Sequence, residues 1–306
     1  VPYYILETLA QIVGVKRIKN ATGLLADCEY GLKHRIDAKE AIWFEAAGTK
    51  ISRDIIRFLI NVKPGMRETE AAQLLKFDGQ PGNMHPNINF GDNHVSLGLN
   101  SPQWNQKLEY GMSLGVGYGL RGSLVHKCGM YIRSEKDLAE DKKHYIEDFL
   151  KPYFACVAKW YEMMKIGTSC GDIYDMVENM LGMERFGIGL NPGHLTHTDE
   201  WTNSPIQKGS TTKIRSGMAF QCDYTVTVHQ PYMSAHVEEG LVIADRELRE
   251  EIKSLSPKAW KRIEERKGFI IETLKINLPE EVLPLSDLSC VCFPYMADTS
   301  IVLAKL

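Results

Sequence analysis

Imidazoles and carboxylates gather in three stretches of this chain: around His126, between Asn191 and Pro205, and from Asp223 to Glu238. Both groups serve as acids and bases near neutral pH, and both hold Zn, Mn or Fe. His236 and Glu238 are two residues apart, so strand alternation sets both side chains on one face. Facing each other, they make an acid–base pair with a raised histidine pKa, or equally a structural salt link. Asp223 and Thr225 share a face by the same parity. His126 stands in a strand-like apolar pattern and reads either as a hydrogen-bonded core histidine or as a group facing a pocket. The run Asn191–Pro205 carries His194, His197, Asp199, Glu200 and Trp201 among turn residues. It reads as a solvated connection or as a recognition surface on a rigid scaffold, and these five residues are the candidates for lining a pocket. Gly115, Gly117, Gly119 and Gly122 do not form a phosphate cradle, because no G-x-G-x-x-G stands between a strand and a helix.

The elements that must position these groups are legible from periodicity. Ile51, Ile55, Phe58, Leu59 and Val62 form one apolar helical face that ends at Lys63-Pro64-Gly65. Ile146, Phe149, Leu150, Phe154, Val157, Trp160, Tyr161 and Met164 predict a second long helix, with Pro152 as a kink or boundary. Both exits lead through a glycine, Gly65 and Gly167, into a short helix (Glu68 to Leu75 and Asp172 to Leu181). Strand-like sequence follows each: Met112 to Tyr118 and Leu124 to Arg133, then Met218 to Val228 and His236 to Ala244. This is an internal repeat, and it predicts an α+β domain with pseudo-twofold symmetry and a site between the halves. Residues 1–35 read as a lead-in, possessing one short helical pattern (Tyr4, Leu6, Leu9, Ile12), and as the remnant of an amino-terminal domain. Residues 36–250 form the main domain, and 251–306 a helix and tail expected to pack on its outside.

The chain has 306 residues, of which 44% are hydrophobic and 25% charged, enough to bury a core without staples. A net charge of -3 and no basic patch argue against nucleic acid. No uncharged apolar run of membrane-spanning length exists. Seven cysteines without a C-x-x-C pair read as reduced thiols in a cytoplasmic protein. Cys290 and Cys292 lie in apolar sequence that reads as buried strand rather than a metal site.

Gly217-Met218-Ala219-Phe220, Val237-Glu238-Glu239-Gly240-Leu241-Val242-Ile243 and Phe186-Gly187-Ile188-Gly189, on this repeat, resemble the pita-bread family of aminopeptidase P, prolidase, methionine aminopeptidase and creatinase. The resemblance covers residues 36–250 and implies a pita-bread fold with a curved antiparallel sheet, and a homodimer. The family holds two divalent ions with two aspartates, one histidine and two glutamates. Here the aspartate positions fall in Gly115-Val116-Gly117 and on His126, and the histidine position falls on Leu190. Asp223 stands at the first glutamate and Glu238 at the second. His197 matches a substrate-facing histidine of the family. Asn100 stands where another would be, after His85 and His94.

Two carboxylates cannot neutralise two divalent ions, so the expected function is not that of a dimetal peptidase. The leading expectation is a degenerate scaffold, without a metal cofactor, that binds a small molecule or peptide in the central pocket. The second is a metal-independent C–N hydrolase of creatinase type, in which His126, His197, His236, Asp223 and Glu238 are the catalytic candidates. The third is a single-metal Xaa-Pro-type peptidase, with one ion on Asp223, Glu238 and His126 or with ligands recruited from residues 194–200.

Overall fold

Asp37 starts the main body with a capping box: its carboxylate accepts the Lys39 and Glu40 amides, and the Glu40 side chain accepts the Asp37 amide. The helix it nucleates, α3 (Ala38–Asn61), follows the short α1 (Tyr3–Val13) and α2 (Thr22–Ala26). The computed structural model describes residues 1–92 and 100–305. His94, Gly98 and Leu99, which the sequence sets near a substrate position, lie outside the described residues. The remaining helices are α4 (Glu68–Ala72), α5 (Lys151–Met163), α6 (Cys170–Leu181), α7 (Arg246–Leu255) and α8 (Pro257–Gly268).

The strands are β1 (Gly82–Phe90), β2 (Ser113–Leu120), β3 (Ser123–Met130), β4 (His194–Leu195), β5 (Ala219–Gln221), β6 (Val226–His229), β7 (Tyr232–Ile243) and β8 (Val282–Pro284). They join in one antiparallel sheet of order β1-β2-β3-β7-β5-β4, with β6 and β8 added along β7. The long β7 is the spine: it pairs with β6 at its start, β3 in its middle, and β5 and β8 at its end. The mixed α+β architecture with an antiparallel sheet expected from the sequence is what the chain adopts.

The repeat extends to the hydrogen bonds. Gly65 and Gly167 both have left-handed φ, 88° and 90°, which a side chain resists. The Gly65 amide donates to Leu108 O and that of Gly167 to Ile214 O, at 2.8 and 2.9 Å. Isolated antiparallel bridges, Arg67 with Lys107 and Ser169 with Lys213, complete the match.

Three expectations need correction. The strand predicted over Met218 to Val228 is broken: residues 222–225 leave the ladder between β5 and β6. The tail does not lie outside, because β8 pairs with β7 and Leu283, Leu285, Ser286, Cys290 and Cys292 are buried. Cys290 and Cys292 sit in buried irregular chain rather than strand, and Cys290 has φ 63°. By contrast, α1 buries none of its residues.

Two side chains explain how the tail and the broken strand are held. Lys127, buried behind the sheet, pairs with Glu239 at 2.7 Å and donates to Leu288 O and Val291 O at 3.0 Å. Ser286 donates to the other Glu239 oxygen. This buried charge pair pins the tail to β3 and β7. On α5, the Tyr153 hydroxyl accepts the Val237 amide at 2.8 Å and donates to Tyr224 O at 3.4 Å, bridging β7 to the break. Backbone groups that the ladder leaves free are thereby paired.

Candidate functional site

Strand parity builds the site. In the β3–β7 ladder His126 lies opposite Glu238 and Cys128 opposite His236, so His126, His236 and Glu238 share a face. Lys127 and Glu239 take the other face and hold the tail. Asp223 enters from the break at 222–225, where the chain is free of the ladder and its carboxylate can reach both sides. His194 comes from β4, whose pairing with Gln221 on β5 fixes it next to Asp223.

These groups line or adjoin a cleft of about 370 Å³ with walls from Met84, Asn87, His126, Gly187, Gly189, Leu190, Glu200, Trp201, Asp223, Thr225, Thr227, His229, His236 and Glu238. Asp223 works on both sides. Its Oδ1 accepts from His236 Nε2 at 3.0 Å, and its Oδ2 lies 3.4 Å from His194 Nε2. The second ring nitrogen of His236 meets His126 Nδ1 at 2.8 Å. If His236 donates to the carboxylate, His126 donates to His236 in turn. His126 Nε2 then carries a free lone pair, and this buried atom has no hydrogen-bond partner. The His126 ring lies over Gly117, where a Cβ would fall 2.5 Å from its Cδ2.

On the other side His194 Nε2, fully buried, is ion-paired with Glu200 Oε1 at 3.1 Å and with Asp223 Oδ2. Trp201 stacks on its ring at 4.0 Å between centroids. One ligand atom each from His194, Glu200, Asp223 and Glu238 falls within 4.8 Å of all the others, and a second such group is His126, His236 and Glu238.

The electrostatics follow from crowding buried carboxylates. Burial pushes the Glu238 carboxyl well above its usual range, and Asp223, Glu200 and Glu239 add to it. Burial alone would lower His194, but the facing carboxylates of Asp223 and Glu200 outweigh it and hold the ring at about 9. Asp223 is raised by burial and lowered further by the imidazoles of His194 and His236, ending below the usual carboxylate range. Burial, reinforced by His236, keeps His126 neutral.

Not every candidate reaches the cleft. His197 turns to Glu40 (3.4 Å) and packs edge-on against Phe44. The Asp199 side chain is 59% exposed and pairs with Lys33 on the outside. Asn100 is half-buried; its backbone oxygen accepts from Asn89 and its side chain is absent from the lining. For His197 and Asp199 the reason is that parity within a loop carries no information, and Glu40 of α3 and Lys33 of the lead-in meet them on that side. Met84, Asn87, Thr227 and His229 escaped the sequence reading. Extending the Asp223–Thr225 parity by two and four residues reaches Thr227 and His229, whereas β1 gave no apolar alternation to announce it.

No protein-family model and no curated protein matches the sequence. Solved structures match the fold. The prolidase of Pyrococcus horikoshii OT3 matches with TM-score 0.63 and 17% identity, over 80% of this chain and 69% of that one. The Xaa-Pro dipeptidase of Bacillus anthracis matches with TM-score 0.62 and 14% identity, over 81% and 68%. The X-Pro aminopeptidase of Thermotoga maritima MSB8 matches with TM-score 0.62 and 12% identity, over 80% and 68%. The chain has the fold of these peptidases, the pita-bread fold.

The donor groups have the chemistry to hold a divalent ion. Imidazole and carboxylate suit Zn, Mn or Fe, and the buried His194 ring shares a 4.8 Å cluster with the carboxylates of Glu200, Asp223 and Glu238. Gly115 and Leu190, at two positions that the resemblance assigns to metal ligands, offer no side-chain donor atom.

Proposed function

We propose that the chain is a hydrolase of peptide or related C–N bonds acting with one divalent ion on His194, Glu200, Asp223 and Glu238. The observation that carries this reading is the convergence of those four donors within 4.8 Å in the cleft. The third expectation from the sequence, ligands recruited from residues 194–200, thus has the best support. The reaction class is supported by the solved structures of like fold, which are named as prolidase, dipeptidase and aminopeptidase. When bound, the ion would polarise the scissile carbonyl and acidify a water.

The chain's own part can be derived. Asp223 Oδ1 holds His236, and His236 fixes the His126 tautomer, leaving His126 Nε2 as the atom that accepts the water's proton. Trp201 and Leu190 contribute apolar surface to the cleft wall. Glu238, facing His126 across the ladder, orients the reacting groups from the other strand. A metal-independent hydrolase is the second reading, favoured by the Asp223–His236–His126 chain alone. The homodimer and the cytoplasmic location belong to the same proposal, and seven free thiols support the location.

The test is elemental analysis of protein purified without chelator, with and without added Zn or Mn. One equivalent per chain is expected, lost in His194→Ala and Asp223→Asn. Two equivalents would overturn the single-ion site, and none at saturating metal would overturn the ion altogether. Peptide turnover that survives complete chelation would select the second reading, and metal binding without turnover would select a binding scaffold.

A further inference from the structure

Two apolar surfaces lie uncovered among the described residues. The first is α1, which buries none of its residues. Ile5, Leu6, Leu9, Ile12 and Val13 recur with helical spacing on one face of it, and each is at least 37% exposed. The second is an open groove of about 640 Å³ between α5 and α6, walled by Ala155 and Met163 on one helix and by Met176 and Met180 on the other. The two match in length: Ile5 to Val13, Ala155 to Met163 and Asp172 to Met180 each span about 12 Å of helical rise. Their charges are complementary. Asp172 and Asp175 rim the groove without an ion pair among the described residues, as do Lys16, Arg17 and Lys19 just past α1. The rim lysines, Lys159 and Lys305, already face Glu162.

We propose that α1 lies in the α5–α6 groove of a second copy of this chain, in a reciprocal exchange of arms. The proposal rests on the homodimer reading and is independent of the hydrolase. Methionine walls adapt to an aliphatic helix face, the helix-in-groove mode of recognition. Residues 164–169 join α5 to α6, so Asp172 lies at the Met163 end of the groove. With α1 running toward that end, Lys16, Arg17 and Lys19 meet Asp172 and Asp175. One chain alone leaves both surfaces open. A single 11-residue helix in a groove falls short of the about 1,200–2,000 Å² that stable interfaces bury, and a reciprocal pair of such contacts reaches it. Reciprocity also closes the assembly at two copies, because each chain uses up its helix and its groove.

The experiment is sedimentation velocity of the full chain over a concentration series, with amide hydrogen exchange of α1 on the same samples. A dimer is expected, with α1 protected at the concentrations where it forms. Removing residues 2–20, or Leu9→Asp, should leave a monomer; α1 buries nothing within its own protomer, so both variants keep the fold. Asp172→Lys with Asp175→Lys should weaken the dimer at least about 10-fold, about 1.4 kcal/mol, with the effect shrinking in high salt. Adding Lys16→Glu, Arg17→Glu and Lys19→Glu to the same chain should restore it. A dimer that survives the loss of residues 2–20 overturns this interface and leaves the homodimer standing, whereas a chain that is monomeric at every concentration overturns both. A double reversal that leaves the dimer unchanged, or one that the three glutamates fail to rescue, also overturns the interface. A monomer with α1 protected would place the helix in its own groove. A monomer that floats with phosphatidylcholine–phosphatidylserine vesicles only when residues 2–20 are present would give α1 to a lipid surface, and either result overturns the proposal.

Discussion

At the scale of single residues, the site turns on which nitrogens are already engaged. His194 Nε2 is buried between the carboxylates of Glu200 and Asp223, whereas His236 is engaged at both ring nitrogens, by Asp223 and His126. His194→Ala should lower Zn affinity at least about 100-fold, and His236→Ala, which loosens Asp223 from outside the donor set, about 10- to 100-fold. Competition with a chromophoric chelator reads both; unchanged affinity in His194→Ala would remove that residue from the donors. The thiols make a second prediction. Burial pushes Cys128, Cys156, Cys170 and Cys292 up to about 12 and Cys222 and Cys290 further, while Cys28 is half-buried. Only thiolates react quickly. Native protein should therefore show one fast thiol towards a disulfide reagent and all seven after denaturation.

At the scale of elements, the broken strand is what lets Asp223 face two histidines, and Tyr153 is what spans the break. Tyr153→Phe keeps the ring and removes both hydrogen bonds. Urea denaturation should show a loss of about 1–3 kcal/mol, with a fall in Zn affinity because Asp223 is less well fixed. Affinity unchanged despite the stability loss would mean that the break holds its shape without Tyr153. Behind the sheet, Lys127→Met strands the Glu239 carboxylate. This should cost about 3–5 kcal/mol, and a second change, Glu239→Leu, should recover much of it. A single-variant cost under about 1 kcal/mol would show that water reaches the pair.

At the scale of the whole molecule, the two chain ends have opposite importance. Helix α1 buries nothing, so removing residues 2–20 should leave stability within about 0.5 kcal/mol. Removing everything after Glu281 deletes β8 and the buried segment under Lys127, and no cooperative thermal transition should remain. A truncated chain that still melts cooperatively would show that the sheet closes without its tail.

Much of the fold was legible because it rests on local pattern. The apolar face of α3, the breakers at Gly65 and Gly167 and the strand parity of His236 and Glu238 are written at fixed spacings that backbone geometry enforces. The core of the site was legible for the same reason wherever it sits on strands. Its other half was not. Nothing local distinguishes His194 and Glu200, which join Asp223, from His197 and Asp199, which turn outward to Glu40 and Lys33. Residue order sets which donor types exist and which strand face carries them, since alternation is a property of the chain. Which residues between 191 and 205 complete the set is a matter of packing, because it depends on a strand leaving its ladder and on distant segments lying over the loop.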